Sequence, residues 1–226
     1  MAQEIKRLRL VIFDMAGTTV NDVIDGSPLV LKSFDDAFRA YGIAVPMNVL
    51  NEQRGRDKQA VIEEFGGDRA PEIFDLFVSI LLENTEKVKE IEGTSETFRF
   101  LKNLGVKVAT NTGFPHDVAK EIIDNLGWQR SGLVDFWICS EMVGKSRPDP
   151  AMIMAAMRHF EIEDPLSVIK VDDMSTGIEE GLQAGVLTFG VLTGTQSRER
   201  LQAANPTDII QSIKQLPSYL IEKGYL

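Results

Sequence analysis

The sequence predicts an α/β protein: an open parallel sheet with helices on both faces, interrupted by an all-helical insertion. Three observations carry this reading. Five apolar runs of strand length, rich in β-branched residues, show little polar alternation, as strands covered on both faces do. Segments with helical spacing separate the later runs, which implies parallel pairing. The interval between the first two runs, Asp22 to Ile91, shows helical spacing alone, and its roughly 70 residues exceed what one crossover needs.

The predicted strands are Leu8–Phe13, Val106–Thr110, Phe136–Cys139, Val168–Val171 and Leu187–Leu192. Glu96–Leu104 places Phe98, Leu101 and Leu104 on one helical face. Asp117–Leu126 does the same with Val118, Ile122, Ile123 and Leu126, and Gly127 supplies a stop. Ala151–Phe160 follows Pro148 and Pro150, which suit a helix start, and Thr176–Ala184 closes at Gly185. Within the insertion the spacing predicts helices near Pro28–Tyr41, Val49–Phe65 and Pro71–Val88, with linkers near Asn21–Gly26 and Glu90–Thr94. The domains expected are a core of residues 1–20 and 92–226 and an inserted helical domain of residues 21–91. The tail from Pro206 to Leu226 reads as one or two amphipathic helices.

Composition narrows the function. Twenty-four Lys and Arg against 34 Asp and Glu leave a net charge of −10 over 226 residues. That balance argues against broad nucleic-acid binding and against adhesion to anionic membrane. Cys139 is the only cysteine, so no internal disulfide forms, and a reducing, cytoplasmic setting is expected. The run Leu8–Phe13 is broken by Arg9 and ends in Asp14, too short for a signal peptide's apolar region. No uninterrupted apolar stretch of about 18 residues is present, so no membrane span is expected.

Ligands of open parallel sheets bind beyond the carboxyl ends of the strands. Four loops stand there: Asp14-Met15-Ala16-Gly17-Thr18-Thr19, Thr110-Asn111-Thr112-Gly113, Gly144-Lys145-Ser146-Arg147-Pro148 and Asp172-Asp173-Met174-Ser175. Together they offer three carboxylates, several hydroxyls, glycine backbone and cations. Mg²⁺ prefers oxygen ligands, and Asp14 with the Asp172–Asp173 pair could hold it. A carboxylate can attack phosphorus and form an aspartyl-phosphate, whose charge a metal, a cation and hydroxyl or N–H donors then offset.

From about Leu8 to Leu192, these four loops in this order resemble the haloacid dehalogenase (HAD) superfamily of phosphohydrolases. The resemblance implies a Rossmann-like core, a mobile helical cap, and a small phosphorylated or phosphonate substrate. It makes Asp14 the nucleophile, and Thr112 or Thr110 the phosphoryl-binding hydroxyl. Arg147 becomes the cation, and Gly17, Thr18, Asn111 and Gly113 join the substrate-binding loops. The metal falls to Asp14, the Ala16 carbonyl, Asp172 and Asp173.

Two departures narrow it further. Most phosphatases of the superfamily carry an Asp acid–base two residues after the nucleophile, where this chain has Ala16. Arg147 stands where a lysine is usual. Both resemble the phosphonatase branch, whose known activity cleaves the carbon–phosphorus bond of phosphonoacetaldehyde. There a cap lysine forms a Schiff base with the aldehyde, so no acid must protonate an alkoxide. Lys58, three residues after Gly55, has similar spacing. Its neighbours differ: the branch resembles Met-Gly where this chain has Arg54-Gly55, and a His where it has Val61. Flanked by Arg56 and Asp57, Lys58 reads as more polar than a lysine tuned by burial. A further Asp expected four residues after Asp173 is replaced by Gly177, with Asp172 as compensation.

Blander readings compete. Asp172 and Asp173 could cap the helix after them, although adjacent carboxylates repel without a cation. Lys58, Arg54 and Arg56 divide evenly between a solvated helix start and substrate contact. His116 and His159 lack metal-like companions, Cys139 packs in a strand, and Met152, Met154 and Met157 pack the core. The leading expectation is a Mg²⁺-dependent phosphonatase-like hydrolase without lysine chemistry. The alternatives are a true phosphonoacetaldehyde hydrolase using Lys58, or a catalytically weak regulatory relative. Whether two copies form a homodimer is left open by the sequence.

Overall fold

The computed structural model describes residues 7–226, so the part of the N-terminal reading that falls on Met1–Lys6 lies outside the described residues. Six parallel strands form one sheet: β1 (Leu10–Phe13), β2 (Lys107–Thr112), β3 (Phe136–Cys139), β4 (Val168–Asp172), β5 (Leu187–Val191) and β6 (Asp208–Ile210). Their order is β6-β5-β4-β1-β2-β3. β1 is thus central, and every residue of it is buried. The sixth strand corrects the expectation for the tail. Asp208–Ile210 pairs with Phe189–Val191 before the chain turns into the short helix Leu216–Glu222. Three residues are too few for either periodicity to show.

The register aligns the chemistry. Phe13 sits opposite Thr110 on one side and Val171 on the other, so the residues following these three positions emerge side by side at the carboxyl edge. The Asp14 N–H continues the ladder by donating to the Val171 carbonyl at 3.0 Å.

Residues 21–91, after β1, hold four α-helices: α1 (Leu29–Ala40), α2 (Met47–Glu52), α3 (Lys58–Gly66) and α4 (Ala70–Leu82). The single helix expected over Val49–Phe65 is therefore two, broken at Gln53–Asp57. Asp57 caps the second by accepting from the Ala60 N–H at 2.8 Å. Helix α1 buries Leu29, Val30, Phe34, Ala37 and Phe38, and α4 buries Ile73, Phe77 and Leu81. The Phe34 and Phe77 rings stack between them with centroids 4.6 Å apart. Where the insertion leaves and rejoins the sheet, short antiparallel strands that the sequence does not reveal pair Val20 with Glu90 and Asn21 with Lys89. A second such pair joins Val23–Ile24 to Ser27–Pro28.

The helices covering the sheet are α5 (Thr94–Asn103), α6 (His116–Leu126), the one-turn α7 (Ser140–Val143), α8 (Ala151–His159) and α9 (Ser175–Gln183). Gly127 ends α6 in the left-handed region at φ 68°. Met152 and Met157 pack in the core, but Met154 is exposed, because the buried face of α8 runs through 152, 153, 156 and 157. His159 stacks on Phe136, as a structural histidine does. Among the described residues no helix is long and apolar enough to cross a membrane.

The Phe34–Phe77 stack ties α1 to α4. Phe34→Ala is expected to destabilise the protein by about 3–5 kcal/mol, read from the denaturant midpoint. A change below about 1 kcal/mol would mean the insertion does not depend on this pair.

Candidate active site

Asp14 sits at the end of β1, 5% exposed, and Arg147 Nη1 donates to its Oδ1 at 2.7 Å. The loop after it closes on one carbonyl: Met15 O accepts from the N–H groups of Thr18, Thr19 and Val20. This tight turn needs Gly17 at φ 88°. A Cβ at Gly17 would also lie 2.5 Å from Asp173 Oδ2. Thr18 Oγ1 donates to Asp173 Oδ1 at 3.1 Å, and Thr19 Oγ1 donates to the Asp14 carbonyl at 2.7 Å.

Asp14, Asp172 and Asp173 each place a carboxylate oxygen within 4.8 Å of the others, all three buried. Their environments differ. Burial opposes ionisation of Asp172, but Lys170 Nζ at 2.8 Å and Arg147 outweigh it and hold this carboxyl below the usual range. Burial, followed by repulsion from Asp14 and Asp172, pushes Asp173 well above that range. Burial also raises Asp14, against the pull of Arg147. Asp173 Oδ2 is buried and has no hydrogen-bond partner among the described residues. Four buried carboxylates, counting Glu180, face the two cations Arg147 and Lys170. A divalent cation fits both the unpaired oxygen and the charge deficit, and the donors are the hard oxygens such an ion takes.

Sequence reasoning missed several members of this cluster. Lys170 interrupts the apolar run of β4 and is fully buried, and Glu180 on α9 is buried too. A charged residue inside an otherwise apolar strand is the signal that could have found Lys170. A fifth loop, Thr193-Gly194-Thr195 after β5, also reaches the site. Thr193 Oγ1 donates to the Gly17 carbonyl at 2.7 Å, and a Cβ at Gly194 would lie 1.8 Å from Asp173 Oδ2. Gly177 is required likewise, since its Cβ would meet Asp172 Oδ2 at 1.9 Å. Asp172 thus fills the space beside the position where a second acid was expected.

Of the second loop, only Thr112 lines the cavity around Asp14. Its Oγ1 accepts from the Phe114 N–H at 3.1 Å. Thr110 stays within β2, and its buried hydroxyl lacks a partner among the described residues. Asn111 holds other side chains: its amide nitrogen donates to Glu180 at 3.0 Å, and its Oδ1 accepts from Arg147 and Lys170. Gly113 makes room for the insertion, because a Cβ there would lie 2.6 Å from the Arg56 carbonyl and 3.1 Å from Lys58 Nζ.

The insertion delivers Lys58 to this place. Of the two readings open for Lys58, the solvated helix start does not hold, since Lys58 is 3% exposed and shares a cavity with Asp14, Ala16, Thr112 and Arg147. Val30, Phe114 and Met174 complete its apolar wall, and the cavity holds about 10 Å³, room for about one water. Burial, then Arg147, push the amine down to about 7. Its Nζ donates to the carbonyls of Arg54 and Arg56, the latter at 2.7 Å. Arg54 is buried as well, paired with Asp22 at 3.0 Å and donating to Thr195 Oγ1 at 3.0 Å. The Arg56 side chain turns away to Glu64 at 2.9 Å and to Gln53.

The chain matches the family model of haloacid dehalogenase-like hydrolases over residues 11–191. It is 28% identical to the phosphonoacetaldehyde hydrolase of Bordetella pertussis over 259 residues, covering 96% of this chain and 92% of that one. The phosphonoacetaldehyde hydrolase of Hahella chejuensis is 28% identical over 205 residues, covering 82% and 68%. Among solved structures, a phosphonoacetaldehyde hydrolase-like protein from Oleispira antarctica superposes with a TM-score of 0.84 at 24% identity, covering 96% of this chain and 93% of that one. A hydrolase from Pseudomonas syringae superposes at 0.83 with 16% identity, covering 95% and 98%.

Gly194 lacks the left-handed conformation, so alanine strains no backbone there and acts only by crowding Asp173. Gly194→Ala is expected to weaken Mg²⁺ binding, measured by calorimetry, at least about tenfold, equivalent to about 1.4 kcal/mol. Wild-type affinity would show that Asp173 takes no part in holding the ion.

Proposed function

Because the chain belongs to the haloacid dehalogenase-like hydrolase family, we propose that it hydrolyses the carbon–phosphorus bond of a short 2-oxoalkylphosphonate such as phosphonoacetaldehyde. Asp14 is the nucleophile and Lys58 the imine-forming amine. The observation that carries this reading is that the Lys58 amine and the Asp14 carboxylate line one small cavity in which Ala16 offers no acid. A phosphate ester with an ordinary alkoxide leaving group would find no carboxylic acid at position 16 to protonate it. An enamine leaving group needs no such acid.

Two carbonyls, of Arg54 and Arg56, take two N–H bonds of Lys58, so a neutral amine keeps its lone pair for the cavity. The low proton affinity of Lys58 supplies that neutral form near pH 7. The amine adds to the substrate carbonyl, and the carbinolamine takes up one proton from solvent and loses water, giving an iminium. Asp14 then attacks phosphorus in line, and the electrons of the breaking C–P bond move to the iminium nitrogen as an enamine forms. Protonation at carbon and hydrolysis return the amine and release the carbonyl product. Water cleaves the aspartyl-phosphate and frees Asp14. Arg147 and Thr112 offset charge on the phosphoryl oxygens. Asp14, the Ala16 carbonyl, Asp172 and Asp173 would hold Mg²⁺, which when bound supplies further charge neutralisation.

The cavity is far smaller than a phosphonate, so entry requires residues 21–91 to open as a cap over a core of residues 1–20 and 92–226. Closure then excludes water from the imine. Val30, Phe114 and Met174 favour a short apolar organic group. The lone buried Cys139 agrees with a reducing, cytoplasmic setting.

Borohydride added during turnover of phosphonoacetaldehyde with Mg²⁺ is expected to leave a mass shift on the Lys58 peptide. Its absence, with phosphate released from esters instead, would overturn C–P cleavage. Asp14→Asn should abolish turnover, and substantial residual activity would remove Asp14 from the mechanism. The trapping rate should rise as pH passes through about 7, because the amine loses its proton there. The same shift bears on stability. Between about 7 and the unfolded value of 10.5 the unfolded chain binds the extra proton, so this group's contribution makes the fold more stable as pH rises.

A further inference from the structure

Lys170 and Glu180 are fully buried, charged, and unused by the steps above. Both converge on Arg147. Its Nε donates to Glu180 Oε2 at 3.0 Å, and its Nη2 donates to the Asn111 carbonyl at 3.0 Å and to Asn111 Oδ1 at 2.9 Å. Asn111 in turn donates from Nδ2 to both Glu180 oxygens at 3.0 Å. Lys170 Nζ donates to the same Asn111 Oδ1, lies 2.8 Å from Asp172 Oδ2 and is 3.9 Å from Glu180 Oε2. Helix α9 comes close enough for this because Gly177 and Gly181, one turn apart, face β4. A Cβ on Gly181 would lie 3.2 Å from Lys170 Cβ.

The guanidinium is thus held on one edge only by groups that do not face substrate. Its other edge, Nη1, meets Asp14 Oδ1 at 2.7 Å and Asp172 Oδ2 at 3.6 Å. We propose that Glu180 and Lys170 are positioning residues. They lock the Nε and Nη2 side of Arg147 so that Nη1 alone changes partner, from the Asp14 carboxylate to a phosphoryl oxygen. This explains how an arginine serves where a lysine is usual. A lysine carries its charge at one point, whereas a planar fork must be oriented, and a carboxylate with an amide carbonyl fixes its plane. Lys170 holds Asn111 Oδ1 and balances Asp172, which keeps Arg147 from being drawn to Asp172 instead.

The inference rests on the functional reading only in giving Arg147 a phosphoryl partner, so binding of inorganic phosphate tests it without turnover. With Mg²⁺ present, Glu180→Gln keeps the size and one acceptor but loses the charge. Phosphate affinity by calorimetry should fall about tenfold or more, and Mg²⁺ affinity should stay within about twofold. In an Arg147→Lys background the same substitution should cost less than about twofold, because the group it orients is gone. If Glu180→Gln does not fold, Lys170→Met takes its place in the same cycle, read at saturating Mg²⁺ on phosphate affinity alone because Lys170 pairs with Asp172. Unchanged phosphate affinity, or equal losses in both backgrounds, would overturn the positioning role while leaving C–P hydrolysis standing. A wild-type protein that binds no phosphate with Mg²⁺ would overturn both.

Discussion

Four carboxylates crowd one water-poor volume at the carboxyl edge of the sheet, and the rest of the structure is arranged around keeping them there. Asp14, Asp172, Asp173 and Glu180 are all buried, and Arg147 and Lys170 pair with three of them directly. Unpaired charges so placed would cost several kcal/mol each. The network meets that cost unevenly. Asp172 and Glu180 are bonded to cations and amides, whereas Asp173 keeps one oxygen without a partner. The site is therefore built incomplete, with its deficit concentrated where a cation fits.

The glycines follow from the same crowding. Gly17 and Gly194 stand against Asp173, and Gly177 against Asp172, each at a distance no side chain could occupy. Their removal of side chains lets three loops and a helix approach the carboxylates together. Only Gly17 also needs the left-handed backbone. The sheet order contributes the rest, since β1 lies between β2 and β4 and brings Asp14 beside Asn111 and Asp172.

The insertion joins this cluster through one segment. Residues 54–57 are each tied to the core: Arg54 to Thr195, Gly55 against Thr176, the Arg56 carbonyl over Gly113, and Asp57 to Ser140. Lys58 follows directly and is buried above Asp14 as a consequence. Its altered proton affinity arises first from that burial and then from Arg147, with its neighbours Asp57 and Arg54 pulling in opposite directions. The polar string Arg54-Gly55-Arg56-Asp57 misleads because its charges are consumed in contacts with other parts of the chain.

The α/β class was legible in the sequence, and the loop motifs named Asp14, Thr112, Arg147, Asp172 and Asp173, which the fold brings together at one sheet edge. Strand-length apolar runs and loop motifs are local patterns, and local patterns survive in one dimension. Tertiary structure decided the sixth strand, whose three residues carry no readable period. It separated Thr112 from Thr110, turned Asn111 and Gly113 into supports, sent the Arg56 side chain to Glu64, and brought in Lys170, Glu180 and Gly194. It also made Lys58 a buried amine. Burial and charge pairing depend on residues distant in sequence, such as Arg147 beside Glu180 or Arg54 beside Thr195, so only the folded chain can assign them.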